Sequence, residues 1–155
     1  MTLSFYVHIP YCIKRCGYCD FNTYTPSELQ DGATLEIVSG DYIDAVLKEL
    51  EFAPMDQVPT IFFGGGTPSL IPPHDLGRVI TAIKARNGIT DDCEITLEAN
   101  PDSVTAEKLE GYIAAGFNRI SFGMQSTSTH VLKVLDRTHD PENVKRAVDM
   151  ARAAG

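Results

Sequence analysis

Four times along this chain, a short β-rich run is followed by a segment whose apolar residues recur at helical spacing. The first run is Leu3 to Ile9, in which Phe5, Val7 and Ile9 alternate with other residues, as in a strand that buries one face. A long loop follows. Ile43, Val46, Leu47 and Leu50 then fall at i, i+3, i+4 and i+7, which predicts an amphipathic helix from about Gly40. Thr60 to Phe63 is the second strand. Pro72 and Pro73 open a helix carrying Leu76, Val79, Ile80 and Ile83, which ends at the stop signal Asn87-Gly88. Glu94 to Glu98 is the third strand, and Leu109, Tyr112 and Ile113 mark a helix entered at Ser103 or Thr105 and closed by Gly116. Asn118 to Gly123 is the fourth strand. Val131, Leu132 and Leu135 suggest a short helix, and Val144, Ala147, Val148 and Ala151 another, entered at Asp140-Pro141 and stopped at Gly155.

Strands that alternate with helices imply parallel strands joined by crossovers, hence an α/β fold, either a barrel or a doubly wound sheet. Four such units do not close an eight-stranded ring. Residues 1–155 therefore read as the N-terminal portion of a larger barrel, with about four βα units and the remainder absent. Thr23 to Ser39, rich in Ser, Thr, Asp and Gly, reads as a surface excursion.

Composition closes off other classes. With 155 residues, 43% hydrophobic, 22% charged, 12 Gly and 9 Pro, the chain is neither disordered nor collagen-like. A formal charge of -8 leaves no basic stripe for a phosphate backbone, so nucleic acid is excluded as a main partner. The segment Met1 to Pro10 has no basic region followed by an apolar run, and no stretch approaches membrane-spanning length. The expected location is the cytoplasm.

Cys12, Cys16 and Cys19 fall within eight residues while Cys93 stands alone. Thiols packed this tightly read as metal or cluster ligands, or as a redox pair, rather than as structural bridges. Ligands of parallel α/β folds gather at the C-terminal ends of the strands. There the first strand delivers the cysteine loop, the second Gly64-Gly65-Gly66-Thr67-Pro68, the third Glu98 and the fourth Gln125. A C-x3-C-x2-C loop can hold three irons of a cuboidal iron–sulfur cluster and leave the fourth open. Zinc is the rival, and it would have to recruit Cys93, His8 or His139. Cys93, placed at the start of the third strand, stands at the wrong end for that and reads as a core thiol.

The other residues each admit an ordinary reading beside a functional one. The glycine run is a turn that needs positive φ, or bare backbone placed for close approach of a ligand. Glu98 is a solvated carboxylate or a partner for an ammonium group or ribose, and Gln125 is a loop cap or a cofactor contact. Arg137 reads by default as a surface cation, Tyr6 and Tyr18 as core aromatics, and His8 as a core or site-wall imidazole. His74, His130 and His139 read as surface residues.

Cys12-x3-Cys16-x2-Cys19, with Tyr18 before the last cysteine, is similar to the signature of radical S-adenosylmethionine (radical SAM) proteins. Tyr6-x-His8-Ile9-Pro10-x-Cys12, Gly64 to Ser69, Leu97 to Pro101 and Asn118 to Ser126 resemble the branch containing oxygen-independent coproporphyrinogen III oxidases and haem chaperones. The resemblance runs from about Leu3 to Gly155. It implies a [4Fe-4S] cluster on Cys12, Cys16 and Cys19 whose open iron chelates S-adenosylmethionine. It also implies contacts to that cofactor from Tyr6, Tyr18, Gly65, Gly66, Thr67, Glu98, Gln125 and Arg137. The implied chemistry is one-electron cleavage of the sulfonium to methionine and a 5'-deoxyadenosyl radical. Haem or a porphyrinogen, a haem-accepting protein and a reducing electron donor are the implied partners.

The oxidases that resemble this chain carry a further cysteine two places after the third ligand, where this chain has Phe21. Phe21 looks like the haem chaperone side, whose haem-binding motif is expected beyond Gly155. A porphyrinogen-oxidising radical enzyme is the alternative, and a zinc-stabilised domain without redox chemistry the third. No catalytic residue is assigned from the sequence.

Overall fold

The computed structural model describes residues 3–29, 34–137 and 140–155. Four parallel strands, β1 (Ser4–Ile9), β2 (Val58–Gly65), β3 (Ile89–Ala99) and β4 (Arg119–Phe122), form one sheet in the order β1-β2-β3-β4. A doubly wound sheet reverses its order at a switch point, and this one does not. The winding is that of a barrel. Helices α1 (Leu35–Leu50), α2 (Pro73–Asn87) and α3 (Ala106–Ala115) connect the strands in turn, and α4 (Thr129–Val134) and α5 (Pro141–Ala154) follow β4. Among the described residues no helix is long and apolar enough to cross a membrane.

Strand alternation sorts the side chains. Val7 and Ile9 of β1, Ile61 and Phe63 of β2, and Ile95 and Leu97 of β3 are buried in a single cluster with Ile43 of α1, Leu76, Val79, Ile80 and Ile83 of α2, and Tyr112 of α3. The opposite face carries Ser4, Tyr6, Thr60, Glu94 and Arg119, all exposed. That polar face lies below the strand ends where the cysteine loop begins.

Tyr112 ties this core to the loop after β2. Its ring meets Phe117 edge-on at 5.7 Å, and its hydroxyl donates to the carbonyls of Ser69 and Ile71 at 3.0 and 2.9 Å. Burial pushes the phenol well above its ordinary pKa. Tyr112→Phe removes the donor without changing the ring, so a loss of about 1–2 kcal/mol is expected in urea unfolding. An unchanged midpoint would show that these bonds carry no net stability.

Several sequence expectations shift. Helix α1 starts at Leu35, not near Gly40, so the last part of the supposed surface excursion is helical. Thr23 and Ser39, its expected exposed ends, are buried. Residues 30–33 of it lie outside the described residues. Strand β3 starts at Ile89, before the acidic pair Asp91-Asp92, and its register against β2 shifts between Val58 and Thr60. Cys93 therefore sits within the strand instead of opening it, and it is buried. The short helix α4 forms, but Val131 and Val134 are exposed and only Leu132 of its apolar residues is fully buried. Ile113 of α3 is likewise exposed. His74 and His130 are at the surface, and His139 lies outside the described residues.

Candidate functional site

The cysteine loop leaves β1 and is closed at its root by backbone pairing. Cys12 N–H donates to the Tyr24 carbonyl at 3.0 Å, and Tyr24 N–H to the Pro10 carbonyl at 2.6 Å. Inside the loop, Cys19 N–H donates to the Cys16 carbonyl at 3.0 Å, a turn that brings the last two cysteines round. Arg15 stitches the loop to its own exit. Its Nε donates to Thr23 Oγ1 at 3.3 Å, and its Nη2 donates to both Glu28 oxygens at 3.0 Å and also to the Thr23 carbonyl. The Thr25 backbone N–H, then its hydroxyl, and then Arg15 hold the Glu28 carboxyl below the usual range.

Two further ties anchor the root. Tyr11 Oη donates to the Val38 carbonyl at 3.1 Å and Tyr42 Oη to the His8 carbonyl at 2.6 Å, so α1 holds the end of β1. His8 Nε2 lies 2.9 Å from the Asn22 carbonyl, which can only accept, so Nε2 carries the proton. Nδ1 is then free to accept from the Tyr6 hydroxyl at 3.1 Å. His8 thus has both nitrogens engaged and does not line the cysteine cavity.

Cys12, Cys16 and Cys19 are all free thiols, part-exposed, and line one cavity of about 570 Å³. Burial pushes the Cys12 thiol up, partly offset by Thr67, whose Oγ1 donates to Cys12 Sγ at 3.7 Å. Arg137 Nη1 donates to Cys16 Sγ at 3.4 Å and its Nη2 to the Gly123 carbonyl at 2.9 Å. Arg137 is thus no surface cation. It reaches across 121 residues into the cysteine loop, and its buried Nε has no hydrogen-bond partner among the described residues.

Gly65, Gly66, Thr67, Glu98, Gln125, Arg137 and Tyr18 line the same cavity, so the strand ends converge as their order predicts. Gly65 has φ +111°, and a Cβ there would lie 2.6 Å from the His8 ring. Gln125 also takes a left-handed backbone, φ 60°, directly after Met124. Tyr18 is 47% exposed and Tyr6 58% exposed, so neither is a core aromatic. Burial first, and then nearby Glu98, raises the Tyr6 phenol.

Tyr6 stands just outside the cavity lining. Its ring stacks on Phe62 at 6.0 Å, and a Cβ added to Gly64 would lie 3.0 Å from both the Tyr6 ring and the Glu98 carboxylate. The residues that the sequence reading missed are Lys14 and Asp136, which pair at 2.7 Å across the cavity rim, and Asn100, Asp102, Ser103 and Ser121 on its wall. Strand alternation from Arg119 could have found Ser121. Nothing in the sequence pairs Lys14 with Asp136.

The donor set fits a cluster better than a single ion. Among the described residues no three His, Cys, Asp or Glu side chains converge tightly enough to hold one metal ion. Zinc draws four ligand atoms onto one centre, whereas a cuboidal cluster places one thiolate on each of three separate irons. Cys93 is buried in β3 and does not line the cavity. Gly66 supplies a cradle at the root of the loop. A Cβ there would lie 2.5 Å from the Tyr11 carbonyl oxygen and 3.0 Å from Cys12 Sγ. Arg137 Nε, without a partner among the described residues, is a further donor on this side chain.

The family model of the radical SAM superfamily matches residues 6–155, and the chain belongs to that superfamily. Such a family implies, in general, a [4Fe-4S] cluster and S-adenosylmethionine. The heme chaperone HemW of Escherichia coli (strain K12) is 41% identical over 157 residues, covering 99% of this chain and 40% of that protein. Radical S-adenosyl methionine domain-containing protein 1, mitochondrial, of Mus musculus is 40% identical over 149 residues, covering 96% of this chain and 33% of that protein. The solved structure of coproporphyrinogen III oxidase (HemN) from Escherichia coli, a radical SAM enzyme, matches with a TM-score of 0.81 at 29% identity, covering 98% of this chain and 34% of that one. The chain therefore lies on the branch that holds HemW and HemN, and spans about two-fifths or less of the length of these relatives.

Proposed function

We propose that this chain is the N-terminal part of the radical SAM core of a haem chaperone, with a [4Fe-4S] cluster held by Cys12, Cys16 and Cys19. The observation that carries this reading is the convergence of three unbridged thiols from one pinned loop on a cavity walled by Gly65, Gly66, Glu98 and Gln125. When bound, the cluster and S-adenosylmethionine supply one-electron reductive chemistry. The chain's own residues position and shield. Bare backbone at Gly65 and Gly66 lets the cofactor approach, and Glu98 offers a carboxylate to its ammonium group or ribose. Gln125, Thr67, Tyr6 and Tyr18 offer hydrogen-bonding groups, and Arg137 a guanidinium that already faces Cys16.

Identity of 41% to HemW, together with Phe21 at the place where the oxidases have a cysteine, supports the chaperone over the oxidase. Haem or a porphyrinogen, a haem-accepting protein and a reducing electron donor are the proposed partners. Unbridged cysteines support a reducing compartment, which we take to be the cytoplasm. The oxidase reading keeps one supporting observation, the TM-score of 0.81 to HemN.

The test uses the whole protein under strict anaerobiosis. Haem titration is expected to give stoichiometric binding and onward transfer to a haem-dependent apoprotein. With reductant, S-adenosylmethionine and coproporphyrinogen III, no decarboxylated product is expected. Multiple turnovers of the porphyrinogen without haem transfer would establish the oxidase instead.

A further inference from the structure

The ladder between β2 and β3 ends at Phe63 and Leu97, one residue short of Gly64 and Glu98. Past that point each strand is paired only on its other side, Gly65 with Ile9 and Ala99 with Phe122. Beyond the end of that ladder, the Gly65-Gly66-Thr67 wall and the Ala99-Asn100 wall of the cavity are not paired with each other by the sheet.

A closed ring of hydrogen bonds does that instead. Asn100 N–H donates to Ser69 Oγ at 3.3 Å, and Ser103 Oγ donates to the Asn100 carbonyl at 2.6 Å. With its own hydrogen so used, Ser103 Oγ must accept from Ser69 Oγ, with which it is in hydrogen-bond contact. The ring starts and ends on the backbone of Asn100. Ser69, two residues after Thr67, is fully buried. Lys108 of α3 closes the arrangement from outside the cavity lining, its ammonium donating to the Ser69 and Ser103 carbonyls at 3.2 and 3.3 Å. Burial lowers the Lys108 pKa, and its amino group is spent on these backbone oxygens.

We infer that Ser69 and Lys108 are positioning residues for S-adenosylmethionine: the ring and its lysine clamp set the spacing between the Gly65-Gly66-Thr67 wall and the Glu98-Asn100 wall. Neither side chain needs to touch the ligand. The inference rests on the proposed radical SAM function of this site. It makes cofactor affinity separable from cluster assembly, because Ser69 and Lys108 bond the segment after the glycine loop to the Asn100–Ser103 segment and make no bond to the cysteine loop itself.

The test compares Ser69→Ala, Lys108→Met and the control Ile83→Val, a buried α2 substitution away from the cavity. Each reconstituted protein is assayed for iron content and melting temperature. Each is also titrated with S-adenosylmethionine, read from the paramagnetic resonance of the reduced cluster. Ser69→Ala and Lys108→Met are expected to keep the wild-type iron content and weaken the apparent Kd about tenfold, the effect of stranding a buried polar group. Ile83→Val should lower the melting temperature and keep the wild-type Kd. Wild-type affinity in both site variants overturns the inference, as does equal weakening in Ile83→Val, which would reduce it to general stability. If Ser69→Ala does not fold, Lys108→Met decides alone. A wild-type protein whose cluster signal ignores S-adenosylmethionine would sink the functional reading itself, and the inference with it.

Discussion

Cys16→Ser is expected to abolish cluster assembly, dropping iron and sulfide from about four of each per chain to background after anaerobic reconstitution. A serine hydroxyl is neutral at working pH and a far poorer iron ligand than a thiolate. The carboxylates nearest the loop, Asp136 and Glu98, line the same cavity, and Asp136 is already paired with Lys14 at 2.7 Å. Loss at Cys16 also removes the sulfur to which Arg137 Nη1 donates at 3.4 Å. Retention of full iron and sulfide in the variant would contradict the assignment of this thiol.

Gly66→Ala is the second large effect. The added methyl would lie 2.5 Å from the Tyr11 carbonyl oxygen, 2.9 Å from its carbon and 3.0 Å from Cys12 Sγ. None of these can give way cheaply. The Tyr11 carbonyl accepts Thr67 N–H at 2.7 Å, and Gly66 N–H donates to the Ile9 carbonyl at 2.7 Å, so the glycine loop and the cysteine loop root are bonded back to back. Relief requires separating them. A stability loss of about 3 kcal/mol is expected in urea unfolding of the apoprotein, with cluster content falling alongside. Gly40→Ala is the contrast. A Cβ there meets nothing within 4 Å among the described residues, and α1 should gain up to about 1 kcal/mol from the better helix former. Equal effects at the two glycines would show that conformational freedom, not close approach, is what Gly66 provides.

Much of this architecture can be read before any coordinate is known, and the reason is periodicity. Phe5, Val7 and Ile9 alternate because β1 buries one face, and Leu76, Val79, Ile80 and Ile83 recur because α2 does. Where the pattern breaks, the reading slips. Asp91 and Asp92 are exposed residues at the start of β3, so the strand appears to begin only at Glu94. Ser39 looks like a loop residue, yet it lies buried in α1.

The site divides in the same way. The three cysteines, the glycine run and Glu98 are local motifs at strand ends, and the structure places them around one cavity. Arg137 gave only the signal of a charged residue near a short helix. Its partners, Cys16 and the Gly123 carbonyl, are set by how β4 and α4 fold back over the cysteine loop. Lys14 and Asp136 are 122 residues apart, and no spacing rule pairs them. Tyr6 and Tyr18, which taken alone read as core aromatics and by resemblance as cofactor contacts, are 58% and 47% exposed. Tyr18 lines the cavity from the cysteine loop, and Tyr6 lies within β1 on its exposed face.

The most direct measurement is electron paramagnetic resonance of the anaerobically reconstituted, reduced protein, recorded with and without S-adenosylmethionine. Three cysteine ligands and one open iron predict a [4Fe-4S] signal that changes when S-adenosylmethionine is added. A colourless protein that holds zinc, or a cluster signal that S-adenosylmethionine leaves untouched, would contradict the account.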